Sequence, residues 1–462
     1  MPFTSVNFGT CTLEEGRMVT RSILEVTMEG LGPNGETSIF PCSIFQYMKG
    51  VNDKPGTPNY DLKQLALQCT AKRIYPNYVN VDWSVNKGYD PNDPVTYCST
   101  MGCRTYNGSD INATPGQNPQ MKDGRGNICP VTVILPTIAM KAKLAVQERE
   151  GEGWINADNV WKEFKKRLLT KMTEAKDTLL ERFNHIASQS PDSAKFMYEN
   201  NVMFGYVPEE GIISALKHGT LALGQIGLAE TLQIIYGVDH TSKRGMILAQ
   251  EIEQLFKEKC AEWKQYYKLN IGVYYTPAEG LCYTAMEKFR KMFPDYSQKN
   301  VTYLEENGKQ VEKKYFTNSI HVPVWADVDP FEKIDIESQL TGYSNAGCIT
   351  YVELDASCMN NIEALETLVD YAMDKDIPYF AINTKICQCK NCRERIWDRN
   401  TECCPKCGST EYEDLGRVTG YLSTTVQHFN AGKQDEYYDR IEHTAKELLT
   451  DDVETDTCIC PC

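Results

Sequence analysis

The stretch CQCKNCRERIWDRNTECCPKCG, residues 387–408, is followed after a short spacer by RVTGYLSTTVQHFNAG, residues 417–432. The first holds Cys389-x-x-Cys392 and Cys404-x-x-Cys407, with eleven residues between the pairs. Two such pairs supply four thiolates, the donor set of a closed, tetrahedral Zn²⁺ site. Such a site organises a segment and leaves no position open for chemistry. Cys387 and Cys403 are spare thiols that compete for the same ion. An iron–sulfur centre is the rival use of this donor set, and unligated surface cysteines are the plain alternative. Gly420 in the second stretch reads, by itself, as a turn residue.

Upstream of these cysteines, strand and helix patterns alternate. TSVNFGT and TSIFPCSIF read as strands on either side of LEEGRMVTRSILEVTMEGLG. That helix places Val19, Ile23 and Val26 on one face and stops at Gly30 and Gly32. NICPVTVILP, residues 127–136, reads as a buried strand from its Val and Ile content, and a helix is predicted over residues 161–188. LNIGVYYTP (269–277), GCITYVEL (347–354) and IPYFAINT read as further strands, and NNIEALETLVDYAMDK as a helix. This alternation predicts an α/β fold with largely parallel strands. His321 falls in an SIHVPV strand pattern and reads as a structural hydrogen-bonding residue. Residues 84–126 form a long loop rich in Gly, Pro, Asn and Asp that carries Cys98 and Cys103. Loops of that length in a compact domain are functional or disordered.

The chain has 462 residues, a net charge of −15 and 19 cysteines, nine of them from Cys387 onward. No Lys/Arg-rich surface for a nucleic-acid backbone is evident, so direct DNA binding is not expected. No apolar run is long enough to span a bilayer, and the N-terminus lacks a signal-peptide pattern. Clustered cysteines without a secretory signal fit a reducing, cytoplasmic setting and metal or redox use.

The cysteine pairs followed by RVTGYL and FNAGK resemble the C-terminal end of class III, anaerobic ribonucleoside-triphosphate reductases, which are glycyl radical enzymes. STMGCRT, GRGNICPVTVILP, YYTPAEGLC and TNSIHVPV with PFEKI resemble further blocks of that family, in order, across nearly the whole chain. The resemblance implies part of a ten-stranded α/β barrel with a zinc-ribbon-like segment and a glycyl radical loop. It implies a radical stored on Gly420, and a transient thiyl radical on Cys103 that abstracts the ribose 3′ hydrogen. Asn127 would contact a substrate hydroxyl, Tyr274 would be an active-site tyrosine, and Met101 would line the site. A separate activase with S-adenosylmethionine and a 4Fe–4S cluster would install the radical. Formate is the expected reductant, because Asn127 matches the formate-using type. The substrates would be ribonucleoside triphosphates.

The corresponding division is a catalytic barrel portion over 1–382, a four-cysteine segment over 383–413, a glycyl radical loop over 414–434 and an acidic tail over 435–462. MPFTSVNFGT resembles the middle of the family sequence, so the N-terminal half of the barrel, with its second active-site cysteine and effector surface, is expected from elsewhere. A complete enzyme of this kind would be a homodimer. Cys11, Cys42 and Cys129 are candidates to lie near the site, but none is assigned the second thiol's role. The terminal CICPC, with Cys458, Cys460 and Cys462, is a mobile redox dithiol, a further metal clip or an idle tail. The competing reading of the whole chain is an inactive, zinc-stabilised fragment that binds partners. A third is another glycyl radical enzyme of the formate-lyase or diol-dehydratase type, which usually lacks the four-cysteine knuckle.

Overall fold

A computed structural model describes residues 4–33, 35–151, 155–355, 359–396, 401–417, 422–423 and 425–443. The chain opens with β1 (Ser5–Phe8), α1 (Glu14–Glu29), β2 (Cys42–Tyr47), α2 (Tyr60–Arg73) and β3 (Asn77–Asn80). After the long loop come β4 (Asn127–Ile134), α3 (Leu135–Glu150), α4 (Ala157–Ala187), two short helices α5 (Lys195–Glu199) and α6 (Ile213–Leu216), and β5 (Thr220–Ile226). Then follow α7 (Leu228–Tyr236), α8 (Lys243–Tyr267), β6 (Asn270–Tyr274), α9 (Leu281–Met292) and a hairpin of β7 (Tyr303–Glu306) with β8 (Lys309–Glu312). The barrel wall ends with α10 (Pro330–Thr341), β9 (Thr350–Leu354), α11 (Ile362–Asp374) and β10 (Tyr379–Thr384).

The strands form two sheets, β1-β2-β3-β10-β9 and β4-β5-β6. All neighbours are parallel except β3 and β10, which run antiparallel. β5 and β6 are buried along their whole length, with helices on one face and loop residues such as Asn107, Asn345 and Ala346 on the other. Backbone bonds from Ala346 N to Val273 O and from Tyr275 N to Gly347 O, 3.0 Å each, join β6 to the segment entering β9. The described residues therefore give an eight-strand wall with β1 and β4 as its edges, not a closed ten-strand barrel.

Two apolar cores hold this wall to its helices. One packs β4–β6 against α3, α4, α7 and α8 around Phe164, Leu168, Leu232 and Phe256. The other packs β2, β9 and β10 against α1, α2 and α11 around Phe45, Leu67, Val352, Leu365 and Phe380. α10 starts at a capping box in which Asp329 accepts from the Glu332 amide and Glu332 from the Asp329 amide, with Pro330 at the first helical position.

Two expectations are corrected, for β4 and for His321. β4 is an edge strand with only Cys129 and Val133 buried, because no strand covers its outer side and Pro130 cannot donate to one. α1 turns Thr20 and Leu24 onto α2 and leaves Val19 and Val26 each 57% exposed. That valine face borders a groove of about 400 Å³ with Val6, Ile23, Leu31 and Phe40, beside the free edge of β1. His321 lies in an irregular connection ahead of α10, not in a strand.

The C-terminal segment is a small antiparallel sheet, β12-β11-β13-β14, of β11 (Ile386–Cys389), β12 (Arg395–Ile396), β13 (Tyr412–Arg417) and β14 (Leu422–Ser423). It leads to α12 (Ala431–Tyr438), which begins before residue 434 and ends after it. No helix among the described residues is long and apolar enough to cross a membrane.

Candidate active site

Residues 81–126 thread back against the wall and are held there by buried polar contacts. Asp110 accepts from Asn270 Nδ2 at 2.8 Å and lies 2.7 Å from His218 Nδ1. Tyr106 donates to Asn86 Oδ1 at 2.7 Å, and its amide donates to Ala346 O at 3.0 Å. Between these anchors, residues 101–105 make a tight reversal, with Arg104 N donating to Met101 O at 2.8 Å and Met101 N to Thr105 O at 3.1 Å. Arg104 sits at φ +91°, a strained conformation for a side-chain-bearing residue, held by its burial. From the other side, Asn7 Nδ2 of β1 donates to Thr100 O at 2.9 Å, and Gly102 N donates to Ser5 Oγ at 2.9 Å.

Cys103 is at the tip of that reversal and is half-buried. Its Sγ lies 3.5 Å from Thr105 Oγ1, and Thr105 Oγ1 lies 3.1 Å from the Tyr274 hydroxyl. Tyr274 is 4% exposed, and burial, then the nearby Cys103, push its hydroxyl pKa up, so it stays protonated. The structure thus brings together Cys103 and Tyr274 through Thr105, which sequence reasoning missed although it lies two residues from the thiol. Met101, beside them, is 45% exposed.

Asn127 is placed differently. It opens β4 and is in register with Thr220 and Asn270, four residues before the level of Tyr274. That is about 13 Å along the strands at the usual rise. Its Oδ1 is buried without a hydrogen-bond partner, an acceptor left open for a donor such as a hydroxyl.

The four predicted metal ligands converge. The Sγ atoms of Cys389, Cys392, Cys404 and Cys407 all lie within 4.8 Å of one another, with Cys389–Cys407 and Cys392–Cys404 at 3.5 Å. A tetrahedral Zn–S₄ site has sulfur–sulfur edges of about 3.8 Å, so this cage fits zinc. Backbone amides of Cys392 and Asn391 point at the Cys389 sulfur and lower its pKa, favouring the thiolate a metal needs. Cys387 and Cys403 are not part of the cage.

β13 carries the chain from this cage to Arg417, whose Cα is in register with Leu422. Gly420 lies between them, outside the described residues, as do Cys458, Cys460 and Cys462. Arg417 is pinned: its NH1 donates to Asn77 Oδ1 at 2.8 Å, its NH2 to Ile74 O at 3.0 Å, and its guanidinium stacks 4.6 Å over the Tyr75 ring. Tyr75 OH lies 3.5 Å from Cys42 Sγ. Cys42 is fully buried against Gly102, where a Cβ would sit 2.5 Å from its sulfur. Burial pushes the Cys42 thiol up and keeps it protonated. A line of contacts therefore runs from the strand entering Gly420 through Arg417, Tyr75, Cys42 and Gly102 to Cys103. Cys42 and Arg417 had no local signal in the sequence, because their partners are remote in the chain.

A family model described as anaerobic ribonucleoside-triphosphate reductase matches residues 1–443. The anaerobic ribonucleoside-triphosphate reductase of Escherichia coli (strain K12) is 32% identical over 457 residues, covering 96% of this chain and 59% of that protein. The enzyme of that name from Enterobacteria phage T4 is 32% identical over 456 residues, covering 96% of this chain and 68% of its own length. The crystal structure of the anaerobic ribonucleotide reductase from Thermotoga maritima in complex with dATP and CTP shares the fold, with a TM-score of 0.65 at 18% identity over 94% of this chain and 65% of that one. The chain spans about three fifths of the length of the bacterial relative. With a family match over nearly its whole length, the chain belongs to the anaerobic ribonucleoside-triphosphate reductase family.

Proposed function

We propose that this chain carries the radical glycine and the hydrogen-abstracting thiol of an anaerobic ribonucleoside-triphosphate reductase. The contact line from Arg417 to Gly102 supports the proposal, because it ties β13, three residues before Gly420 in sequence, to the loop of Cys103. A glycyl Cα radical takes the hydrogen atom of the Cys103 thiol. The resulting thiyl radical takes the ribose 3′ hydrogen, and the 2′ hydroxyl leaves as water. Formate supplies the two electrons and is oxidised to carbon dioxide, one proton being consumed, and the 3′ hydrogen is returned from Cys103.

In this reading Thr105 and Tyr274 orient the thiol and Met101 lines the site, while the open Oδ1 of Asn127, four residues along the strands from Tyr274, would meet a donor on a part of the substrate away from the reacting ribose. Zinc at Cys389, Cys392, Cys404 and Cys407 holds the segment that presents the hairpin and takes no part in the chemistry. A separate activase using S-adenosylmethionine and a 4Fe–4S cluster installs the radical. The free edges of β1 and β4 and the bare valine face of α1 are surfaces against which the N-terminal half of the barrel would pack, on this polypeptide or on a second chain, within a homodimer. The division at 1–382, 383–413, 414–434 and 435–462 is one of role, its boundaries falling inside β10, β13 and α12.

Electron paramagnetic resonance tests the reading. The anaerobic protein is incubated with activase, reductant and S-adenosylmethionine, with and without the family's N-terminal half. A doublet is expected in the parent and not in Gly420→Ala. A folded, zinc-loaded chain with no signal under either condition would favour the inactive partner-binding alternative.

A further inference from the structure

Behind Cys103 lies a cluster of ionised side chains that the radical chemistry does not use. It surrounds a cavity of about 20 Å³ lined by Arg104, Lys333, His321, Tyr351, Glu353 and Arg440, among others. A polar cavity needs about 10–15 Å³ to hold one water-sized ligand. Four cations of this network, Arg104, Lys333, Lys433 and Arg440, and three carboxylates, Glu337, Glu353 and Glu436, are each more than nine-tenths buried. Asp439, which accepts from the Tyr315 hydroxyl, is partly exposed and reaches solvent.

The pairing is uneven. Glu353 lies 3.1 Å from Arg440 and Glu436 lies 2.6 Å from Lys433. Glu337 faces His321 at 3.3 Å. Arg104 NH1 lies 3.0 Å from His321 Nε2, and a guanidinium only donates, so Nε2 accepts and the histidine proton sits on Nδ1, toward Glu337. Burial also drives the His321 pKa down, so the ring is neutral.

Two buried cations are left against one buried carboxylate, Glu337; Glu279, whose carboxyl feels Lys433 and Arg104, lies exposed at the margin. The Arg104 guanidinium meets the Tyr275 carbonyl, His321 and the Tyr351 hydroxyl but no carboxylate, and its Nε has no partner. Lys333 Nζ has no described residue within hydrogen-bond or ion-pair distance, although its side chain lines the cavity. Burial pushes its pKa down, while the more distant Glu337 and Glu353 push it back up. An uncompensated buried charge is expensive and is relieved either by neutralisation of the amine or by a counter-ion; the Arg104 guanidinium cannot neutralise, which leaves it the counter-ion.

We propose that the cavity between Arg104 and Lys333 binds one small monovalent anion, a halide or formate, as the counter-ion of this buried network. Both candidates offer a single negative charge that accepts hydrogen bonds from an ammonium and a guanidinium. The site connects three parts of the molecule: the Cys103 loop through Arg104, α10 through Lys333, and the segment after the radical hairpin through Arg440, whose NH1 donates to Arg417 O at 2.5 Å. Its bearing on catalysis rests on Cys103 being the hydrogen-abstracting thiol, but binding itself does not.

The test needs no turnover, so its failure and the failure of the radical reading are separable. Crystals of the zinc-loaded protein, with its N-terminal half if that is required for folding, are soaked in sodium bromide and measured at the bromine absorption edge. In parallel, melting temperatures are recorded in bromide, chloride, formate and glutamate at fixed ionic strength, for the parent, Lys333→Met and Lys333→Gln. The expected result is an anomalous peak in the cavity and a saturable rise in melting temperature that glutamate does not reproduce, both lost in a folded Lys333 variant. A rise with formate but not halides, with density for formate in bromide-free crystals, assigns the carboxylate. A water in the cavity with no bromide or formate, or an anion response that is the same in a folded Lys333 variant, overturns the proposal.

Discussion

The wall and the cysteine segment are held together by different forces. β10 presents Phe380, Ala381 and Ile382, all 0–1% exposed, to cores on both faces of its sheet. One strand further on, the apolar cluster of β11 to β13 centres on Cys389 and Cys404, with Cys387, Cys392 and Tyr412 packed against them. Hydrophobic burial fixes the first region, whereas the second has almost no apolar core beyond four thiols that fit a metal cage. Under the proposed function, the cysteine segment ahead of Gly420 would be held by its metal, and the Cys103 loop by the wall.

The strongest way to break this contrast is to remove the metal. Structural zinc sites in small domains contribute on the order of 10 kcal/mol to local folding. Cys404→Ser is expected to bring zinc from one per chain to none by metal analysis and to abolish the glycyl radical signal. The cooperative melt of the wall should stay in place, and a wall that melts with the zinc would mean the regions are one unit. The converse substitution is Phe380→Ala. It should weaken the wall by about 3–5 kcal/mol, read by denaturant melting, with zinc content unchanged.

A smaller effect sharpens the contrast through pH. Glu253 on α8 is wholly buried, accepts from Gln225 at 2.8 Å, and burial raises its pKa from 4.5 to about 8. The folded wall therefore holds this proton more tightly than the unfolded chain. Its contribution is fully present below about pH 4.5 and is lost as pH rises through 8. The thiolate cage runs the other way, because metal binding displaces protons and strengthens with pH. Between pH 6 and 8 the melting temperature of the wall is expected to fall in the parent and to flatten in Glu253→Gln, while zinc retention against a chelator rises. A parallel slope in both proteins would remove Glu253 from the account.

Local patterns were legible in the sequence. The two C-x-x-C pairs sit within one short segment, so their convergence was visible, α11 carries a clear helical period, and β10 is a short apolar run. Side-chain partners far apart in the chain were not legible. Arg104 meets His321 and Tyr351, and Arg417 meets Asn77, across more than two hundred residues. The valine face of α1 has the period of a buried stripe, yet packing against α2 through Thr20 and Leu24 points it outward. β4 has the composition of a central strand and an edge position, since composition reports what a strand can bury and not what lies beside it. The tie between Cys103 and Tyr274 was legible only as two separate blocks, because Thr105 between them matches no pattern by itself.

The stretch after Gly420 is fastened to the wall by its own contacts. Ile441 N donates to Val324 O at 3.0 Å, Tyr315 donates to Asp439 at 2.7 Å, Asn318 to Glu436 at 3.2 Å, and Arg440 pairs with Glu353. If oxygen severs the backbone at a glycyl radical on Gly420, the downstream piece has every reason to stay docked. Air-damaged protein would then elute at its native size and separate into two bands only after denaturation, so a clean chromatogram is no certificate of an intact preparation.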